Sequence, residues 1–397
     1  MTEINQLLHI SDVNEALTRI SSCVAPLDSL ALMTIIEDQL DSADKPTRSS
    51  MFALIECYCT KFPTHDDLDL LLVSLQEFGE VTNIYQYLCY VKMAKAARAN
   101  GDSSDASNLL TKVNPLKLST MPLTAAEYYV LKAQLANDPS QRERSLSKGL
   151  EIITTKFTGN PSSFCYTILH LIFEVKFAFA SYLAQTKTKL GTALELSFEN
   201  LEFGLKSTSD GVLKLQSSPE FKENFDILVA LLIVVPYSHT KIHYLSKFHK
   251  YISFENPWVM QNIEPSAKSL LLSFINYSII RFDDKELFGK LEAKFGLDVN
   301  VVYDQLIEFD LICISKIFTS IQLKDIIRTL ALPETYSEEQ VIDLVFRLVM
   351  DKKINAELDD ITGFVYFKEE EKAQDWNSQI VDFLDTVDYI TDKIQAY

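Results

Sequence analysis

His239, His243 and His249 are the only histidine cluster in the chain, and the first two stand four residues apart. That spacing places two imidazoles on one face of a helix, where they could grip a metal ion. No carboxylate or cysteine is adjacent to complete a ligand set, and Lys241, Lys247 and Lys250 would oppose a cation. An exposed polar helix face is expected, with no metal bound. Cys57-Tyr58-Cys59 is a C-x-C without a second pair nearby, so it points to core packing rather than zinc. Asp359-Asp360 places two carboxylates together, but between two strand-like segments, where acidic residues serve turn geometry. Phe173, Phe177 and Phe179 suit a core better than a ligand pocket. The sequence holds no P-loop, G-x-G-x-x-G, G-x-S-x-G or H-E-x-x-H. The expectation is a chain with no catalytic residues, no cofactor and no metal.

The elements around Asp359-Asp360 are more informative. Ser320-Ile321-Gln322 is a short β-prone start, and Leu323, Ile326, Ile327 and Leu330 then recur at helical spacing up to Pro333. Ser337 opens a second helix, with Gln340 completing a capping box and Glu338 and Glu339 favouring its positive end. Its apolar face is Val341, Ile342, Leu344, Val345, Leu348 and Val349. Residues 354–358 and 364–367 flank a turn-forming stretch and read as a hairpin. Strand, helix, helix and hairpin make a winged helix.

Charge decides what this wing contacts. Residues 320–368 hold six basic residues against nine acidic ones. The helix that would enter a DNA groove carries Glu338, Glu339 and Asp343 against Arg347 alone. Phosphate contacts supply much of the affinity of DNA binders, so this helix would be repelled, and a protein contact is expected instead.

Composition agrees. The 397 residues carry a net charge of −18, which disfavours nucleic acid and anionic membranes and favours solubility and basic partners. Glycine is scarce at 10 residues, which points to a helical chain. Six cysteines without disulfide-like spacing suit a reducing compartment, and the N-terminus lacks signal-peptide regions. The longest uninterrupted apolar run, 227–235, is too short to span a bilayer. The expected location is cytoplasm and nucleus, with no membrane contact.

Helices are expected at 3–22, 27–41, 47–62, 66–78, 83–99, 103–113, 123–136, 141–157, 163–186 and 190–206, broken by Asp, Ser, Asn and Pro stretches. Residues 87–110 fit one two-helix unit of a tetratricopeptide-like repeat, although no 34-residue period continues from it. Further helices are expected at 221–235, 240–251 and 266–281, one capped by Asp283-Asp284, and one over 299–318. A last helix from about Asp375 sets Trp376, Ile380, Phe383, Leu384, Val387, Ile390 and Ile394 at three- and four-residue steps, a face built to pack on other helices. The fold class is all-α dominated. A helical-repeat superhelix (1–215) precedes a second region (216–368), split into a helical part (216–318) and a winged helix with a small β-sheet (319–368). The C-terminal helix (369–397) follows.

This layout resembles the PCI-domain family, the scaffold subunits of the proteasome lid, the COP-nine signalosome and translation initiation factor three. Residues 302–312 look like the helix before the wing, and 317–326 like the family's strand-to-helix entry. Residues 349–359 resemble the end of the recognition helix and first wing strand, and 363–367 the second strand, with Asp359-Asp360 where the family usually has Asp-Gln. Among subunits, 318–326 and the block from Phe225 look closest to signalosome subunit three. The tail from Trp376 looks equally like subunit four or lid subunits.

The resemblance implies a non-catalytic scaffold subunit of a signalosome-type complex that removes a ubiquitin-like modifier from cullins. Wings would stack edge to edge through a surface formed or supported by Ile321, Ile354, Ala356, Leu358, Val365 and Phe367. The final helix would enter a multi-subunit bundle. The partners would be other PCI subunits, a metalloprotease-bearing subunit that does the chemistry, and cullin-RING ligases, with no direct DNA contact. A lid or initiation-factor subunit is the alternative within the family, and a winged-helix nucleic-acid binder the alternative outside it.

Overall fold

A computed structural model of the protein describes residues 7–368 except 43–44, 159–163, 206–209, 255, 282–298, 333–336 and 360–361. The chain divides into two compact units, 1–235 and 236–397.

The first unit contains α1 (Val13–Val24), α2 (Ser29–Asp41), α3 (Arg48–Lys61), α4 (His65–Glu77), α5 (Asn83–Ala99), α6 (Ser103–Thr111), α7 (Pro122–Leu135), α8 (Pro139–Lys156), α9 (Tyr166–Gln185), α10 (Leu190–Leu205), α11 (Asp210–Gln216) and α12 (Pro219–Val234). The starts follow cap chemistry. Asp12, Asp28, Thr47, Thr64, Asp102, Asp138 and Ser218 each accept a backbone N–H of the following turn, satisfying donors that a helix start leaves open. Hairpins α5–α6, α7–α8 and α9–α10 pack side by side, and α3, α5, α7 and α9 form a row.

An ion-pair ladder crosses that row. Lys92 of α5 lies 2.5 Å from Glu56 of α3 and 2.7 Å from Glu127 of α7. Lys95, one turn on, reaches Glu127 at 3.6 Å and Glu174 of α9 at 2.9 Å. Burial opposes the charge on Lys92, but the Glu127 and Glu56 carboxylates overcome it and lift its pKa. Such a ladder fixes the order in which helices stack more than it adds net stability.

Two expectations for this unit need correction. Of the helix expected over 3–22, residues 3–6 lie outside the described residues, Leu7 is helical, and a break at 8–12 follows, because Asp12 caps α1 at Val13 and α3 holds the preceding segment. Thr47 N–H donates to the Leu8 carbonyl at 2.8 Å, and Ser50 Oγ to the Leu7 carbonyl at 3.0 Å. The boundary drawn at 215/216 would place α12 in the second region, but α12 packs on α10 and closes the first unit. The Asn200 and Asn224 amides, both fully buried, bond at 3.3 Å across that contact.

Helix α9 is the one helix among the described residues long and apolar enough to cross a membrane, and 56% of its apolar window is buried inside the protein. Phe173 sits in its core face, stacked 5.7 Å from Phe177 and touching Phe221 of α12, and Phe179 is buried. Cys57 and Cys59 lie within α3, and burial pushes the Cys57 thiol up to about 12, which suits packing and not metal binding.

The second unit holds α13 (His239–Ser253), α14 (Pro257–Asn262), α15 (Pro265–Ile275), α16 (Val299–Ile317), β1 (Ser320–Gln322), α17 (Leu323–Leu330), α18 (Glu338–Met350), β2 (Ala356–Asp359) and β3 (Phe364–Phe367). The helix expected to reach residue 281 stops at Ile275. Tyr277 takes a left-handed φ of 52°, and Ser278 N–H closes back on the Ser273 carbonyl at 3.0 Å, a Schellman ending. Phe309 of α16 centres the core, edge-on to Phe274 at 4.7 Å and against Tyr237. The helix expected after Asp283-Asp284 and the C-terminal helix lie outside the described residues.

Candidate partner-docking surface

The wing begins where α16 ends. Leu323, Ile326 and Leu330 of α17 and Val341, Leu344, Val345 and Leu348 of α18 bury one stripe each, and these stripes form the base on which the sheet rests. Ser337 and Gln340 form the expected capping box, Ser337 Oγ accepting from Gln340 N–H and Gln340 Oε1 from Ser337 N–H at 2.8 Å. The last turn of α17 closes through Ala331 in a left-handed conformation (φ 52°), two residues earlier than Pro333 suggested.

The sheet is antiparallel with order β1-β3-β2, so the last strand lies in the middle. Lys368 N–H bonds the Asn355 carbonyl at 2.9 Å, and Phe367 N–H the Thr319 carbonyl at 2.9 Å. Antiparallel ladders alternate bonded and non-bonded pairs. Continuing each register makes Glu357/Tyr366 and Asp359/Phe364 the bonded pairs on one side and Ile321/Val365 on the other. The backbone groups of Ala356 and Leu358 therefore face outward on the β2 edge. Those of Ser320, with the Gln322 N–H, face outward on the β1 edge.

This sorts the six residues expected at the sheet edge. Ala356 and Leu358 stand on an edge and direct their backbone groups away from the sheet. Ile321 lies on an edge strand, but its backbone pairs inward with Val365 and its side chain is buried. Val365 and Phe367 belong to the central strand, bonded on both sides, and their side chains enter the core, so they could support the edge but do not form it. Ile354 is buried just ahead of β2 and supports the edge from beneath. Asp359 serves the turn, its carboxylate accepting from the Thr362 hydroxyl at 2.6 Å, whereas Asp360 lies outside the described residues. Trp376, Ile380, Phe383, Leu384, Val387, Ile390 and Ile394 also lie outside them.

The outward face of α18 escaped the sequence reading. Glu339, Asp343, Phe346 and Met350 form one exposed stripe at steps of four, three and four residues. Phe346 is 52% and Met350 81% exposed, both outside the apolar face that packs on the core. The sheet's open face adds Tyr366, 45% exposed and stacked on Phe364 at 6.1 Å. Acidic residues over half a helix and large apolar ones over the rest suit a protein surface and repel phosphate.

One buried carboxylate holds this surface to its supporting helix. Glu308 of α16 receives Arg347 of α18 at 3.4 Å and Lys353 of the α18–β2 turn at 3.3 Å. Lys241 of α13 is fully buried with Nζ 4.2 Å from the Phe274 ring centre, and burial lowers its pKa to about 7 although Glu308 opposes the shift. Asp310, two residues beyond Glu308, accepts the Ile280 N–H at 2.9 Å, and its Oδ2 has no hydrogen-bond partner among the described residues. Burial pushes Asp310 up to about 8. His239 and His243 stand exposed on α13, while His249 Nε2 meets Ser253 Oγ at 2.8 Å. No group of three or more His, Cys, Asp or Glu gathers as a metal site among the described residues.

Residues 288–369 match the PCI domain, which covers the wing and the helix that carries Glu308. Helices before residue 288 lie outside that match. No curated protein sequence matches the chain.

Proposed function

We propose that this PCI-domain chain is a structural subunit of the COP-nine signalosome, joined to neighbouring PCI subunits by its wing. PCI domains are generally scaffold modules, and this one supports association with other subunits of a PCI complex. The observation that carries the reading is the β2 edge beside an acidic recognition helix. Ala356 and Leu358 offer outward N–H and C=O groups that a neighbour's strand can satisfy, while Glu338, Glu339 and Asp343 turn DNA away. The wording of residues 318–326 and the block from Phe225 favours the signalosome over the lid or initiation factor three. In this reading Phe383, Val387, Ile390 and Ile394 join a bundle of C-terminal helices. The cleavage of a ubiquitin-like modifier from cullins then belongs to a metalloprotease subunit, and the chain works in cytoplasm and nucleus.

Proline scanning of the edge tests the joint. Leu358→Pro removes an outward N–H that no described strand uses, so the chain should fold and lose its PCI neighbours in affinity purification. Glu357→Pro removes a bonded N–H and should destabilise the second unit itself. A folded Leu358→Pro chain that keeps its neighbours contradicts strand addition through β2. Cullins and a metalloprotease subunit among the partners support the signalosome, and proteasomal ATPases or ribosomes would place the chain elsewhere.

A further inference from the structure

The first unit contains a cavity of about 330 Å³ where the end of α2 meets the starts of α3, α5 and α7. Its walls are apolar, built from Leu40, Met51, Phe52, Ile84, Met121 and Leu123. Two exposed cations, Lys45 and Arg48, stand at its lining, and among the described residues neither is paired with a carboxylate. In a chain of net charge −18, two cations that pair with no described carboxylate stand beside an apolar hole. Arg48 is also the first residue of α3, so the positive end of that helix adds to its field. Tyr85 lines the same cavity. Burial raises its hydroxyl pKa while Arg48 opposes the rise, which puts the guanidinium within electrostatic reach of the ring. The Tyr85 hydroxyl makes no hydrogen bond to a described residue.

We propose that this cavity is a docking pocket for a short acidic–apolar segment of a partner protein. One large aliphatic or aromatic side chain fills the cavity, and a carboxylate one or two positions away in the peptide bonds Arg48 and Lys45. Charge and lining together select the occupant: Lys45 and Arg48 attract an anion, and the mainly apolar interior favours an apolar side chain. The volume lies at the small end of pockets that enclose metabolites, and no carboxylate, histidine or thiol lines it, so a side-chain anchor fits better than a substrate. Arginine can bind a carboxylate through two parallel hydrogen bonds, which would fix the peptide's register. The pocket lies wholly within the first unit and does not depend on which assembly owns the wing.

The test is selection of random peptides displayed on phage against the full-length chain, followed by fluorescence polarisation with the consensus peptide. The expected consensus holds a large apolar residue within two positions of Asp or Glu. Lys45→Glu with Arg48→Glu, both at exposed positions, should weaken that peptide roughly tenfold or more, since charge-assisted hydrogen bonds are lost. Ile84→Trp, which fills the cavity, should weaken it independently, with far-ultraviolet circular dichroism confirming that each variant folds. A consensus lacking an acid, no consensus at all, or binding indifferent to the charge reversal overturns the proposal. Saturable binding of decanoate with no peptide selected would overturn it too, assigning the cavity to a small amphiphile.

Discussion

Replacing Glu308 by Gln separates a structural tie from a surface ornament. The carboxylate is 5% exposed and meets Arg347 at 3.4 Å and Lys353 at 3.3 Å. Removing one partner of a buried ionic group costs about 3–5 kcal/mol when the charges left behind stay buried. Here that figure must be reduced. Arg347 is 57% exposed and returns to water, so its share falls to roughly that of a surface pair, under about 1 kcal/mol. Lys353 is 24% exposed and carries more. Lys241 loses a carboxylate that opposes its deprotonation, and it stays neutral more readily. The sum is about 2 kcal/mol for Glu308→Gln, and under about 0.5 kcal/mol for Arg347→Ala alone. Trp258 belongs to the second unit, so with Trp376 replaced by Phe its fluorescence in a urea titration of the full chain reports that unit selectively. Glu308→Gln should move the fluorescence transition to lower urea and leave most of the circular dichroism change, which comes from the first unit, in place. A loss below about 0.5 kcal/mol, or an equal loss in Arg347→Ala, refutes the assignment of Glu308 as the tie.

Two buried groups give opposite pH slopes. Asp310 has a folded pKa of about 8 against an unfolded value near 3.8, so the stability it contributes is present at low pH and lost as pH rises between those values. Asp310→Asn should flatten that decline in urea titrations at pH 5 and pH 8. Lys241 has a folded pKa of about 7 against 10.5, so the folded state holds fewer protons between them and stability rises with pH across that window. Lys241→Met should abolish the rise. Gly204→Ala places a Cβ against the Phe221 ring, and thermal melting should show a loss of about 1–3 kcal/mol if α12 truly packs on α10. Ala331→Gly relieves a left-handed alanine at the end of α17, and the fluorescence-detected transition should shift by up to about 1 kcal/mol toward stability.

Local chemistry was legible and non-local pairing was not. The Asp and Ser breaks, the Ser337–Gln340 box and the hairpin turn all act within a few residues, and the elements they mark are present where they fall within the described residues. The sheet order depends on β1 crossing to β3, a contact between residues some 45 positions apart that no local pattern encodes. Without it, Val365 and Phe367 look like edge residues as plausibly as Ala356 and Leu358 do. Glu308 reads as one more acidic residue on a helix until Arg347 and Lys353 arrive beside it. Phe346 and Met350 did leave a signal: they lie four apart, and neither fits the stripe of Val341, Leu344, Val345 and Leu348. The left-handed ending at Tyr277 had no such signal, because glycine or asparagine usually marks that conformation.

The wing's proposed role is that of a protein joint. Its most direct measurement is affinity purification of the full-length chain at native abundance, with nuclease treatment, partner identification and stoichiometry. A complex containing other PCI-domain chains in equal amounts, indifferent to nuclease and lost with Leu358→Pro, is the expected result. A chain recovered alone, or with partners that vanish on nuclease treatment, would contradict it.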